Sequence, residues 1–181
     1  SIRWQPRRVA AREGQLVSAN QALLIDVRDS GVHLHSKFHY RIQQGMLREL
    51  QFRIPPDLAV QSVQGAEVAD WSIETDPAAG TSPATQRLVV SLKTQLTTGT
   101  DVDIHAYRRD RQATGTIDIH ALEPLGVVRE TGRVAVGCAS QFRVRVAETE
   151  HLDQIDRTGV DLPSRLGLRP DEAAVVGTES Q

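Results

Sequence analysis

The stretch from Val32 to Ile54 constrains the fold of this chain more than any other part of the sequence. Its apolar residues recur at every second position, first in VHLHSKFHYRI and then, after QQGM, in LRELQFRIP. Side chains on a β-strand alternate between its two faces, so this repeat predicts two strands that each bury one face. The residues predicted to be buried are Val32, Leu34, Phe38, Tyr40, Ile42, Leu50, Phe52 and Ile54.

These two strands are predicted to pair with each other as a β-hairpin. A loop centred near Gly45 places Tyr40 opposite Leu50 and Phe38 opposite Phe52, with both apolar sets on one side of the sheet. The sequence PPD then ends the second strand, because proline has no N–H to donate to a neighbouring strand.

Short alternating runs continue through most of the remaining chain, separated by residues that favour turns. Examples are ALLIDVR, LAVQSVQG, EVADWSIE, RLVVSLK, VDIHAYRR and RVAVGCA. No long amphipathic helix is evident, and the spacing of the runs is typical of antiparallel sandwiches. We therefore predict an all-β protein, an antiparallel β-sandwich of about ten strands with a less regular C-terminal extension.

The predicted domain organisation follows from where this alternation begins and ends. Residues 1–14 are a poorly specified N-terminal segment, residues 15–147 form the β-sandwich domain, and residues 148–181 form an irregular C-terminal extension. The terminal AAVVGTESQ is either a strand separated from its partner or a frayed tail. Because the chain does not begin with Met, we expect it to be a fragment of a longer protein.

Charge and cysteine content argue against several classes of function. The net charge of −2 gives no overall field that favours nucleic acid or an anionic membrane. The longest apolar run, ALLI, is far shorter than the roughly 20 residues of a membrane-spanning helix. Cys138 is the only cysteine, which excludes an intrachain disulfide and a multi-cysteine metal site. It shares its face with Val134 and Val136, so we predict a buried apolar role.

The tetrapeptide DIHA occurs twice and supplies the candidate ligand-binding residues His105, His120, Asp103 and Asp118. If the two DIHA strands pair, all four side chains lie on one face, with histidine opposite either aspartate or histidine. Cross-strand polar contacts on a solvated face are the usual outcome of such a pattern. Imidazole and carboxylate groups also suit metal ions, which leaves a sugar- or metal-binding cluster as the alternative. We predict no metal and no cofactor.

His33, His35 and His39 form a second polar stripe, on the face opposite the apolar residues. Histidines two positions apart on a strand are about 6–7 Å apart, too far to share a metal unless a neighbouring strand contributes a ligand. We predict a solvated face, with an anion-binding or pH-sensitive surface as the alternative. The sequence has no nucleophile elbow, phosphate-binding glycine loop or HExxH motif, which favours a protein without catalytic activity.

The order of strand and turn residues resembles a β-rich segment of the very large exported proteins of unknown function from planctomycete-type bacteria. The matching residues are Phe38, Tyr40, Ile42, Gly45, Leu50, Phe52, Ile54, Pro55, Ser62, Val63, Gly65, Val68, Trp71, Gly126, Val127, Arg129, Gly132, Ala135 and Val136. The match covers residues 23–146 and includes no catalytic signature. The resemblance implies an extracytoplasmic module, periplasmic or at the cell surface, within a longer chain.

Together these features predict a noncatalytic structural or interaction module of a larger extracytoplasmic bacterial protein. Its expected partner is a protein or a cell-envelope component, and neither nucleic acid nor a membrane span is expected. The alternative is a carbohydrate- or metal-binding β-sandwich that uses the cluster of His105, His120, Asp103 and Asp118.

Overall fold

The computed structural model describes residues 2–3, 14–76, 85–108, 120–138, 149–150 and 173–178, and all regular structure in these ranges is β-strand. The strands are β1 (Ile2–Arg3), β2 (Leu16–Arg28), β3 (Gly31–Gln44), β4 (Leu47–Ile54), β5 (Ala59–Gln64), β6 (Val68–Asp76), β7 (Thr85–Leu96), β8 (Gly99–Arg108), β9 (Glu123–Leu125), β10 (Arg129–Cys138), β11 (Thr149–Glu150) and β12 (Ala173–Thr178). Within these ranges, no helix is long and apolar enough to cross a membrane.

Two sheets pack face to face around one hydrophobic core. The six-stranded sheet has the order β12-β10-β2-β3-β8-β5, and the four-stranded sheet has the order β6-β7-β4-β9. A separate parallel pair joins β1 to β11. The prediction of an all-β sandwich is therefore confirmed. Trp71, on β6, packs against the core from the four-stranded sheet.

The predicted hairpin between β3 and β4 is wrong. β3 pairs with β2 and β8 in the six-stranded sheet, whereas β4 pairs with β7 and β9 in the four-stranded sheet. The chain thus crosses from one sheet to the other at the turn that contains Gly45. This glycine has a φ of 89°, a backbone conformation that other residues adopt with strain.

The prediction of which side chains are buried is nevertheless confirmed for both strands. All eight of the apolar residues predicted from the alternation are buried: Val32, Leu34, Phe38, Tyr40, Ile42, Leu50, Phe52 and Ile54. Phe38 and Phe52 meet across the interior, with ring centroids 4.8 Å apart, and Tyr40 approaches Phe52 edge-on at 6.1 Å. The two-residue repeat determines the face that a side chain occupies but not the strand that lies beside it.

β10 lies between two strands from opposite ends of the described chain. It pairs in parallel with β2 and antiparallel with β12. The six-stranded sheet therefore contains one parallel pair in an otherwise antiparallel arrangement. The strand predicted within AAVVGTESQ does have a partner in this chain, namely β10. Just before β10, the backbone N–H of Val128 donates to the carbonyl oxygen of Val17 at 2.8 Å.

An acidic side chain faces inward from β10 next to a buried phenol. Glu130 is the register partner of Ala19 on β2, and Tyr40 is the partner of Ala19 on the other side. Burial, and secondly the nearby Glu123, raise the pKa of Glu130 to about 8. Burial and then Glu130 also raise the pKa of Tyr40. Glu130 is therefore mainly a neutral acid at pH 7.

Replacing Phe52 with alanine should strongly destabilise the sandwich. The substitution removes a fully buried ring that contacts the opposite sheet, and such changes cost about 3–5 kcal/mol. Urea unfolding monitored by circular dichroism measures the loss, with the exposed Arg41→Ala on β3 as the control. If Phe52→Ala lowers the free energy of unfolding as little as Arg41→Ala does, the packing of Phe52 against Phe38 is contradicted.

The pH dependence of stability should reveal the protonated Glu130. Its folded pKa of about 8 lies above the unfolded value of 4.5, so the folded chain binds more protons between these pH values. The free energy of unfolding should therefore fall as pH rises through this window. In Glu130→Gln this component is absent, and the decrease in melting temperature from pH 6 to pH 9 should be smaller than in the wild type. Equal decreases in the two proteins would refute the assignment.

Candidate functional site

Three histidines and one tyrosine meet on the outer face of the six-stranded sheet. β3 contributes His33 and His35, and β8 contributes His105 and Tyr107. The β3–β8 register places His35 directly opposite His105, and His33 directly opposite Tyr107. All four side chains are partly buried. We refer to these four residues as the imidazole cluster.

The rings of the imidazole cluster contact one another across the two strands. His35 stacks on His105 with centroids 4.1 Å apart and planes inclined by 12°. His33 lies diagonally from His105, with centroids 5.6 Å apart and planes inclined by 20°. Its Nδ1 is 3.4 Å from Nε2 of His105, and its ring centroid is 5.0 Å from that of Tyr107. The cluster is therefore continuous from His35 to Tyr107.

The turn between β2 and β3 closes one end of the cluster. The Tyr107 hydroxyl donates to the carbonyl oxygen of Ser30, and the Ser30 hydroxyl lies 3.3 Å from Nε2 of His33. Gly31, the next residue, has a φ of 136°, and a Cβ there would collide with the carbonyl oxygen of Arg108. Glycine at this position thus lets the turn lie against β8, which brings Ser30 to the edge of the cluster.

The surroundings of the cluster keep its imidazoles uncharged near neutral pH. Burial, and secondly His105, lower the pKa of His35 to about 4. Burial also lowers the pKa of His33, with a further contribution from Arg28 that Asp26 partly opposes. For His105 the causes are burial, then His33, then Arg28. Each ring can therefore offer an unprotonated nitrogen at pH 7.

Charged and polar side chains surround the cluster on the same face. Towards the β2–β3 turn, Arg28 forms an ion pair with the buried carboxylate of Asp26. In the other direction, Lys37 lies opposite Asp103 in the β3–β8 register. One residue pair further on, Nδ1 of His39 lies 2.6 Å from a carboxylate oxygen of Asp101, and both of these side chains are exposed.

The pairing considered for the two DIHA segments does not occur at His105, because β8 already has a strand on each side there. His105 has His35 and Ser62 as its register partners, so strands β3 and β5 occupy both sides of β8 at this position. Asp103 is exposed two residues before His105, on the same face. His120 is exposed in the segment that leads to β9, a strand of the other sheet. Asp118 lies outside the described residues.

The structure instead unites His105 with the histidine stripe of β3. The sequence indicated part of this arrangement. His33 and His35 are too far apart on one strand to form a site alone, so a side chain from a neighbouring strand was required. It did not identify β8 as that strand, since the β3–β8 pairing joins segments about 70 residues apart. Among the side chains that the structure describes, no group of three or more His, Cys, Asp or Glu residues is arranged to hold a metal ion.

Comparisons with known proteins identify no family for this chain. No protein-family model matches it. No curated protein matches it either. Among solved structures, it is similar to yeast leukotriene A4 hydrolase in complex with bestatin, with a TM-score of 0.45, 13% identity, and coverage of 70% of this chain and 23% of that chain.

Two other solved structures are similar at comparable levels. An M1 zinc metallopeptidase from Deinococcus radiodurans has a TM-score of 0.40 and 13% identity, with coverage of 93% of this chain and 39% of that one. A cohesin from Archaeoglobus fulgidus has a TM-score of 0.33 and 10% identity, with coverage of 68% and 93%. Similarities at these scores and identities assign no activity, substrate or partner to this chain.

Acid should destabilise the protein through His35. The unfolded chain takes up a proton at this residue near pH 6.5, whereas the folded chain does so only near pH 4. The free energy of unfolding should therefore decrease as pH falls through this window. In His35→Gln the decrease in melting temperature between pH 7 and pH 4.5 should be smaller by at least about 3 °C. The exposed His120→Gln is the matched control. Equal decreases in melting temperature in His35→Gln and in the wild type would contradict a lowered pKa at His35.

Proposed function

We propose that the chain is a noncatalytic interaction module of a larger extracytoplasmic bacterial protein, and that the imidazole cluster is the centre of its contact surface. The proposed partner is another protein. The observation that carries the proposal is the continuous contact of four partly buried rings, from His35 through His105 and His33 to Tyr107, on an outer sheet face.

The composition of this face supports a protein partner. Protein interfaces typically have a centre rich in aromatic side chains and poor in charge, with a polar rim around it. The cluster supplies uncharged rings at the centre, while Arg28, Lys37 and Asp103 supply charges around it. Flat rings also provide a large contact area with few rotatable bonds, so little conformational entropy is lost on binding.

The position of the cluster in the sheet gives further support. β3 is flanked by β2 and β8, and β8 is flanked by β3 and β5, so both strands that carry the rings have neighbours on each side. The backbone that carries the rings is therefore held by hydrogen bonds on both sides of each strand. A preorganised surface binds more tightly than a flexible one.

The cellular setting is inferred separately from the contact surface. The resemblance of the strand and turn pattern to large exported bacterial proteins supports an extracytoplasmic location and a place within a longer chain. The remainder of the full-length sequence tests this part, because a signal peptide or a membrane anchor would support it and a cytoplasmic enzyme domain fused to this segment would oppose it.

Removing the central stacked pair should weaken partner binding strongly. The double variant His35→Ala/His105→Ala deletes the two most closely stacked rings, and the loss of such a centre weakens binding at least about tenfold. The immobilised protein is incubated with envelope proteins of the source organism, and captured proteins are quantified by mass spectrometry.

The matched control removes the same number of histidines elsewhere. His39 and His120 are both exposed and lie outside the cluster. The proposal requires a protein that the wild type and His39→Ala/His120→Ala retain equally, and that His35→Ala/His105→Ala loses while keeping its native circular dichroism spectrum. Equal retention by all three proteins would exclude the cluster as the contact surface.

A further inference from the structure

Four cationic side chains stand on the outer face of the six-stranded sheet, on the two strands that flank β2. β10 carries Arg129 and Arg133, β3 carries Lys37 and Arg41, and all four side chains are exposed. Because side chains alternate along each strand, these four share the face that bears the imidazole cluster. This part of the face is therefore basic, although the whole chain has a net charge of −2.

The sheet register arranges the four cations as two pairs across β2. Arg133 and Lys37 are the register partners of Ala22, and the other two cations flank Ser18 in the same way. Neighbouring strands lie about 4.8 Å apart, so each pair spans about 10 Å across β2. Short side chains between long cationic ones leave a shallow channel along β2. We refer to this channel, with its four cations, as the basic groove.

Asn20 lies at the centre of the basic groove, between the two pairs of cations. Its side-chain amide donates to the hydroxyl oxygen of Thr131 at 2.8 Å, and His39 is its register partner on the other side. Asn20 is exposed, so solvent and a bound molecule can reach the centre of the groove.

The cations of the groove are available to an anionic partner. The ion pairs within the described part of the chain include none with Lys37, Arg41 or Arg133. Asp101 and Asp103, on β8, border the groove beyond β3. The charges that face β2 are thus all positive along the groove, and an anion placed there meets cations on both sides.

The spacing of the cations matches an extended acidic peptide. Along each flanking strand the two cations are four residues apart, which corresponds to about 13 Å at about 3.3 Å per residue. An extended peptide that lies along β2 has the same rise, so carboxylates at its positions i and i+4 can meet both cations of one strand. Three of the four cations are arginines, whose planar guanidinium can bind a carboxylate through two hydrogen bonds.

The side chains of the groove are less suited to nucleic acid or to sugars. Proteins that bind single-stranded nucleic acid stack the bases on aromatic side chains, and sugar binding also favours exposed aromatic faces. Among the described residues, the outward side chains of β2, β3 and β10 that line the groove include no Phe, Tyr or Trp. A polypeptide needs no such platform, because its carboxylates pair directly with the cations.

We propose that the basic groove binds an acidic segment of another polypeptide in an extended conformation. The four cations pair with its carboxylates, and the short side chains of β2 leave room for its backbone. The groove adjoins the imidazole cluster, because Lys37 follows His35 by two residues on β3. The proposal rests on the four cations and does not depend on the imidazole cluster.

Titration of the protein into fluorescently labelled octaglutamate at pH 7 and about 50 mM salt, followed by anisotropy, tests the groove. The wild type should bind with a Kd below about 1 mM, and Arg41→Gln/Arg133→Gln should weaken binding at least about tenfold. The control Arg48→Gln/Lys93→Gln removes two exposed cations from the four-stranded sheet and should bind as the wild type does. Salt at about 0.5 M should weaken the binding, because it screens exposed charges.

Two further probes and one further variant separate the possible results. Tighter binding of an oligogalacturonate or an oligothymidylate of equal charge than of octaglutamate would overturn the assignment of a polypeptide partner. The cluster variant His35→Ala/His105→Ala should bind octaglutamate as the wild type does, so a failure of the proposed function leaves this result unchanged.

A measurement on the wild type alone locates the bound peptide without any substitution. Octaglutamate should shift the NMR resonances of Asn20 and Thr131 and leave those of Gln51 and Ser72, on the four-stranded sheet, unchanged. The proposal is overturned by an absence of binding at about 1 mM, by equal affinity in the wild type and Arg41→Gln/Arg133→Gln, or by shifts confined to the four-stranded sheet.

Discussion

The contact of Phe38 with Phe52 is the interaction on which the other features of this molecule depend. It joins a central strand of the six-stranded sheet to the four-stranded sheet through two fully buried rings. Once Phe38 faces inward, strict alternation along β3 turns His33 and His35 outward. The same rule applied to β8 turns His105 outward, because Val102 and Ile104 are buried in the core. The imidazole cluster is thus a consequence of the apolar core on the other side of the same strands.

The core also tolerates polar groups, and it does so by holding them uncharged. Glu130 and Tyr40 flank the small Ala19, which leaves room for two larger polar side chains on neighbouring strands. Burial favours the neutral form of both groups, and each is raised in pKa. Burial also favours the neutral form on the outer face of the six-stranded sheet. For the three clustered histidines the neutral form is the unprotonated one, so burial lowers their pKa values. Burial therefore favours the neutral form of titratable groups on both faces of the six-stranded sheet.

Alternation in the sequence was sufficient to predict the fold class and the inward residues of β3 and β4, because the face of a strand residue depends only on local backbone geometry. Pairing partners could not be predicted in the same way. The turn at Gly45 is compatible with a hairpin and with a crossing between sheets, and both arrangements bury Phe38 and Phe52. The distinction depends on contacts with β2 and β7, which lie elsewhere in the chain.

The candidate site shows the same division between local and long-range information. His105 was predicted to lie on a polar face of its strand, and it does so. Its predicted neighbours came from the second DIHA segment, whereas its actual neighbour across the β3–β8 pair is His35. A repeated tetrapeptide only about 15 residues away suggested a local hairpin, and nothing in the short-range pattern indicated that β3 already occupies that side of β8. Neutral Glu130 was missed for a related reason, because its pKa depends on strands brought together by the fold.

The position of β10 has a consequence for the order in which the protein acquires its structure. β10 must meet β2, which is synthesised more than 100 residues earlier, and it must also be joined by β12 near the C-terminal end. Long-range pairing of this kind makes folding slow, because distant segments have to be brought together before their contacts stabilise them. Until the ribosome has released β12, the edge of β10 that later receives it has no strand beside it. We therefore expect nascent chains of this protein to associate with a chaperone at that edge during synthesis.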